Sequence, residues 1–151
     1  MKITDILKST NIFLDVSSSS KKQILEKIAE HAATVTKCEE QVIFDALIER
    51  ERLGTTGVGK GIAIPHARLA GLSDLFCTFM RVKPVDFEAI DAKPVDLIFC
   101  LLVPEESGAD HLKALAHISK LLRDDNAVSS LRKAKDANEV LNLIASLDVD
   151  D

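Results

Sequence analysis

Cysteine is scarce in this sequence. Its three copies, Cys38, Cys77 and Cys100, are odd in number, far apart and without a CxxC spacing. That excludes a secreted disulfide framework and points to the reducing cytoplasm. Long apolar runs are also missing: the longest, Leu97 to Val103, is far short of the ~20 residues of a membrane span. The opening stretch, MKITDILKST, lacks the continuous apolar core of a signal peptide. No segment concentrates lysine and arginine either, and 24 acids against 19 bases leave a net charge of −5. A phosphate backbone calls for a basic face, so nucleic acid is not the expected partner. A small protein with a basic face suits this charge better. Internal repeats and low-complexity linkers are absent, and 151 residues are one domain by length, expected to span 1–151.

What is present is an alternation of helical and strand patterns. Ile3, Ile6 and Leu7 predict a short helix, and residues 11–15 an edge strand or extended link. Ser20-Lys-Lys-Gln23 reads as a capping box opening a helix that ends near Thr36 or Lys37. Glu39 and Glu40 open the next helix, with Val42, Ile43, Ala46 and Leu47 as its buried stripe and Gly54 as its stop. A short strand over 61–65 is expected to end at His66. Stronger strands are expected over 75–82 and 95–103, the second covered on both faces, with a short one at 85–87. Asp110 is expected to cap a helix to about Arg123, with Leu112, Leu115, Ala116, Ile118, Ser119 and Leu122 inside. A short helical piece follows at 128–133, and Asp136-Ala-Asn-Glu139 is a second capping box. Helices outside strands imply an α/β fold, a three-layer α/β/α sandwich around a mixed sheet.

The stretch from Glu49 to Arg68, ERERLGTTGVGKGIAIPHAR, holds four of the six glycines and a histidine directly after a proline. Gly54-Thr-Thr-Gly-Val-Gly59-Lys60 matches G-x-x-x-x-G-K of a P-loop, but Gly61 stands where Ser or Thr should meet magnesium. The stretch also follows a helix, and Pro65 forbids a helix starting behind Lys60. A phosphoryl acceptor fits better. Pro65 biases Ile64 to extended geometry and places the His66 imidazole at a strand end, where open α/β sheets bind ligands. Histidine attacks phosphorus with one ring nitrogen while a carbonyl fixes the tautomer at the other. Backbone N–H groups of Thr56, Gly57, Val58 and Gly59 are candidate donors to the phosphoryl oxygens. The cations nearby in sequence are Arg50, Arg52, Lys60 and Arg68.

From Arg50 to Arg68 the chain resembles the phosphorylation-site segment of enzyme IIA domains of the fructose–mannitol class of the bacterial phosphotransferase system. The likeness spans nearly all of it: Ser20 to Arg52 is similar to the family's first helices, FEAIDAKPVDLIF (87–99) and Leu102-Val-Pro104 to its core strands, and 136–147 to its last helix. Gly61-Ile-Ala-Ile-Pro-His66 and FEAIDAKPVDLIF are most like the nitrogen-regulatory branch. The resemblance implies that His66 is phosphorylated on its ε nitrogen, that Arg50 is the active-site arginine, and that His111 is the second active-site histidine. It implies a donor of the HPr or NPr kind, no bound cofactor or metal, and an output read by regulatory targets. Two alternatives stay open: a sugar-specific IIA that passes the group to a IIB domain, and a protein-interaction module without phosphoryl chemistry. The chain would then be a phosphotransferase component, not an enzyme acting on a free small molecule. Lys60 and Ala67 stand where Asn and Gly are common in relatives, so Lys60 either strengthens anion binding or faces the partner. Arg52 and Arg68 read as partner-facing or plain surface charges. His31, His117 and the cysteines read as structural, and no metal-ligand spacing supports a zinc site.

Overall fold

A computed structural model describes residues 2–148. Six helices flank one mixed sheet: α1 (Ile3–Ile6), β1 (Ile12–Val16), α2 (Lys21–Thr36), α3 (Glu40–Leu53), β2 (Gly57–Gly59), β3 (Ile62–Ala63), β4 (His66–Leu69), β5 (Phe76–Val85), β6 (Val95–Pro104), α4 (Asp110–Arg123), α5 (Asp125–Lys133) and α6 (Ala137–Leu147). The strand order is β1-β5-β6-β3-β2, with β4 also paired to β6. β5 and β6 run antiparallel at the centre, β1 joins β5 in parallel, and β3 and β4 both join β6 in parallel.

The apolar run of β6 is covered on both faces, as its composition predicts. Leu97, Phe99 and Leu101 join Ile118, Leu131, Val140 and Ile144 beneath α4, α5 and α6. Ile98, Cys100 and Leu102 join Ile24, Ile28, Ile43 and Leu47 beneath α2 and α3. Each such buried side chain contributes roughly 1.5–3 kcal/mol, and together they make the sheet the rigid base of the molecule. Both predicted N-caps form, while the Gln23 and Glu139 side chains reach back to the residue before the cap, so neither box closes on the cap's own N–H. Ser20 Oγ accepts from Gln23 N–H at 3.1 Å and Gln23 Oε1 accepts from Ser19 N–H at 3.0 Å. Asp136 accepts from Glu139 N–H, and Glu139 from Lys135 N–H, both at 2.9 Å.

Several boundaries and faces differ from the sequence pattern. The strand expected to end at His66 is instead interrupted at residues 64–65 and resumes at His66. Ile62 faces Leu97 and His66 faces Leu101, so the register is unbroken across Pro65. Pro65 lacks only a donor; its carbonyl still accepts from Leu101 N–H at 2.9 Å. The short strand expected at 85–87 is absorbed into β5, which ends at Val85. The buried positions of α3 are Ile43, Leu47 and Glu51, whereas Val42 is exposed. In α4 the buried face is Ala114, Ile118, Leu121 and Leu122, while Leu112 and Ala116 are outside. That helix is capped at Ala109, one residue earlier than expected, and α5 begins at Asp125 because Asp124 caps it through Asn126 and Ala127 N–H.

Candidate functional site

β4 alternates. Ala67 and Leu69 are buried under the α2–α3 layer, which leaves His66 and Arg68 on the other side of the strand. Among the described residues β4 is paired only with β6, so these two side chains stand at the margin of the sheet. The end of α3 approaches from one helical layer and the start of α4 from the other. Between them lies a cavity of about 610 Å³, walled by Ala46, Arg50 and Leu53 of α3, His66 and Arg68, and His111, Leu112 and Leu115 of α4.

The imidazole of His66 is held from both ends. Its Nδ1 lies 2.9 Å from the Ile64 carbonyl oxygen. A carbonyl only accepts, so Nδ1 carries the proton and Nε2 carries the lone pair. Ile64 N–H is bound to Thr56 O on the β2 side at 3.0 Å, which fixes the peptide that presents this carbonyl. At the other end Arg50 Nε donates to His66 Nε2 at 3.3 Å, and Arg50 Nη1 donates to Gly54 O at 2.8 Å. A tautomer-locked, half-buried imidazole with a guanidinium at its free nitrogen is a nucleophile facing an anion-stabilising group.

His111, in the first turn of α4, lies 2.7 Å from Gly108 O through Nδ1, so its Nε2 is also the unprotonated nitrogen. Arg68 Nη2 lies 3.1 Å from that Nε2, and Arg68 Nη1 donates to the carbonyls of Glu105 and Ser107, both at 3.1 Å. The structure therefore brings His66, Arg50 and His111 to one cavity, and adds Arg68, which its sequence context marks only as a surface charge. Strand periodicity was the available signal: residues 66 and 68 share a face only when β4 continues past His66.

Thr56, Gly57, Val58 and Gly59 do not line this cavity. Thr56 N–H donates to Glu51 Oε1 at 3.0 Å and Gly57 N–H to Thr55 Oγ1 at 3.0 Å, while β2 pairs with β3. Lys60 holds its backbone in the left-handed region (φ 59°), with its N–H on Asp91 Oδ2 at 3.0 Å and its ammonium 3.7 Å from Asp125. That backbone bond from Lys60, together with one from Lys93 N–H to Asp91 Oδ1 at 3.1 Å, holds the Asp91 carboxyl below the usual carboxylate range. Arg52 pairs with Glu49 on the surface. Cys77 and Cys100 are buried free thiols; burial pushes Cys77 up to about 12 and raises Cys100, which makes both poor nucleophiles. Among the described residues no group of three or more His, Cys, Asp or Glu could hold a metal ion.

The family model for the EIIA 2 domain of the phosphoenolpyruvate-dependent sugar phosphotransferase system matches residues 5–147. A nitrogen regulatory protein of Bradyrhizobium diazoefficiens is 47% identical over 146 residues, covering 96% of this chain and 95% of that protein. A fructose-specific EIIA component of Haloferax volcanii is 34% identical, covering 97% and 99%. Among solved structures, the nitrogen regulatory protein IIA-Ntr of Neisseria meningitidis superposes with a TM-score of 0.90 at 37% identity, covering 94% of this chain and 98% of that one.

Proposed function

The chain belongs to the EIIA type-2 family of the phosphotransferase system, and on that premise we propose that His66 accepts a phosphoryl group on Nε2 from a phosphohistidine of an HPr- or NPr-type donor. In this reading the phosphorylated protein signals to regulatory targets in the cytoplasm. The single observation that carries it is the Nδ1–H bond to Ile64 O, which leaves Nε2 as the only ring nitrogen able to attack.

The step balances without a cofactor. The P–N bond of the donor breaks and its electron pair returns to the donor imidazole, while the Nε2 lone pair of His66 forms the new P–N bond. His66 keeps its Nδ1 proton, so its ring gains positive charge, which the Ile64 carbonyl stabilises. Arg50 exchanges its bond to Nε2 for one to a phosphoryl oxygen, within reach of the same guanidinium fork. Arg68 flanks the cavity with its guanidinium available to the remaining oxygens, and His111 donates to them through Nε2 once that nitrogen takes up a proton. Leu53 and Leu112, 86% and 61% exposed, form an apolar rim on which a donor protein can exclude water.

Incubation with phosphorylated HPr, followed by mass spectrometry at neutral pH, is expected to place one acid-labile phosphoryl group on His66. His66→Ala is expected to take up none while remaining folded; uptake at the wild-type level in that variant overturns the assignment. The full-length likeness to a fructose-specific EIIA favours one second reading, transfer onward to a IIB domain. Rapid loss of label to a sugar-specific IIB would sink the purely regulatory reading.

A further inference from the structure

The geometry points to Glu51 as the positioning residue that holds Arg50 against His66, an inference that rests on the reading of His66 as the acceptor. Glu51 is the one acid of α3 that turns inward: its side chain is 5% exposed. A buried carboxylate needs compensation from every side, and here two of the three compensating contacts come from the turn behind Arg50 and the third from α2. Thr56 donates to it twice, from its N–H at 3.0 Å and from its hydroxyl. Lys21, at the start of α2, approaches to 2.9 Å and also lies over the Phe87 ring, 4.9 Å from its centre.

The backbone of the same residue closes the turn. Glu51 O accepts from Gly54 N–H at 3.1 Å, so Glu51 grips residues 54–56 through its carbonyl and its carboxylate. Gly54 O, presented by that turn, accepts from Arg50 Nη1 at 2.8 Å. This second bond directs the guanidinium so that Nε reaches His66 Nε2. A long, flexible arginine on the surface end of a helix has many rotamers; the Gly54 carbonyl selects the one that serves the site. Glu51 touches neither His66 nor the space for a phosphoryl group, and acts on both only through Arg50.

The test is a double-mutant cycle on phosphoryl uptake, with phosphorylated HPr as one donor and phosphoramidate as a protein-free second. Glu51→Gln is expected to lower the maximal rate about tenfold or more with both donors, with KM for phosphorylated HPr within about twofold of wild type, because docking surfaces are unchanged. In an Arg50→Ala background, Glu51→Gln is expected to add no further loss. Full additivity, or a loss confined to phosphorylated HPr, overturns the proposal. Should Glu51→Gln fail to fold, Thr56→Val decides: it removes only the hydroxyl bond and is expected to slow uptake, with Thr56→Ser restoring the rate. Wild-type rates in folded Thr56→Val would then overturn it. Absence of uptake by the wild-type protein is a different result, which removes the acceptor reading of His66 itself.

Discussion

Arg68 follows His66 by two residues on one face of β4, yet its guanidinium serves His111, 3.1 Å from that ring's Nε2. Its other arm gathers the carbonyls of Glu105 and Ser107 from the loop before α4. One side chain therefore ties the strand bearing the acceptor to the helix bearing the second histidine. Arg68→Ala is expected to loosen residues 105–111 and slow phosphoryl uptake about tenfold. Lysine is expected to restore little, because one ammonium cannot span both carbonyls and the imidazole as the two arms of the guanidinium do. Steady-state kinetics beside hydrogen exchange of the 105–111 amides checks both halves; unchanged exchange in Arg68→Ala contradicts the tie.

The tautomer of His66 is directly measurable. With Nδ1–H on the Ile64 carbonyl, nitrogen NMR of the neutral, unphosphorylated protein is expected to show a protonated δ nitrogen and a bare ε nitrogen. Arg50→Ala is expected to shift the ε resonance alone, since Arg50 Nε is its donor. The opposite tautomer would remove the basis for attack through Nε2.

Leu53 and Leu112 come from opposite helical layers and are exposed beside the cavity. Such positions contribute little to the isolated fold, within about 0.5 kcal/mol. Leu53→Ser with Leu112→Ser is therefore expected to leave unfolding midpoints unchanged. It is expected to raise KM for phosphorylated HPr severalfold, while uptake from phosphoramidate stays at the wild-type rate. A parallel fall with both donors would assign these leucines to the chemistry and not to docking.

What could be read before the fold was known divides along physical lines. The β6 run, the N-caps Ser20 and Asp136 and the helices they open depend on local pattern, and they appear where the residues say. His66, Arg50 and His111 carry motif spacing and converge on one cavity. Arg68 was legible only through the period of a strand not expected to continue past His66, and Glu51 not at all, because their partners lie in distant loops or in the interior: Glu105 and Ser107 for one, Lys21 and Thr56 for the other. Val42 and Leu112 satisfy helical periodicity yet stay outside, since periodicity marks a stripe but not where the neighbouring layer ends. The glycine stretch was the most misleading, because a phosphate cradle and a tight backbone crossing demand the same residue.

Gly57 separates those two demands. A Cβ there would meet Ala89 Cα and Cβ at 2.8 Å, so its hydrogen lets β2 pass the 86–93 loop. Gly57 O also accepts from Ile90 N–H at 3.0 Å. Gly57→Ala is expected to cost about 1–3 kcal/mol through forced separation of the two segments. Chemical denaturation measures that cost. Uptake per folded molecule should change little, because residues 56–59 lie outside the cavity; a variant of full stability that no longer accepts the group would return this loop to the site.

His31 is expected to add a pH dependence to stability. Burial holds its pKa below the ordinary 6.5. The ring packs edge-on against Phe13 at 4.7 Å, and its Nε2 lies 2.7 Å from the Oδ1 of buried Asn11, whose carbonyl accepts from Thr78 Oγ1. Because the folded pKa lies below the unfolded one, the unfolded chain binds the extra proton first as pH falls. Stability from this group is complete above about pH 6.5 and declines below it, until the folded ring also protonates. Urea unfolding between pH 8 and pH 5 is expected to show that decline in the wild-type protein and a smaller one in His31→Gln, which keeps a donor for Asn11 but cannot titrate. A variant curve parallel to the wild type across this range would move the pH dependence away from α2 to another histidine. The acceptor site is a separate matter, since His31 contacts Asn11, Phe13 and Phe76 and none of the residues around His66.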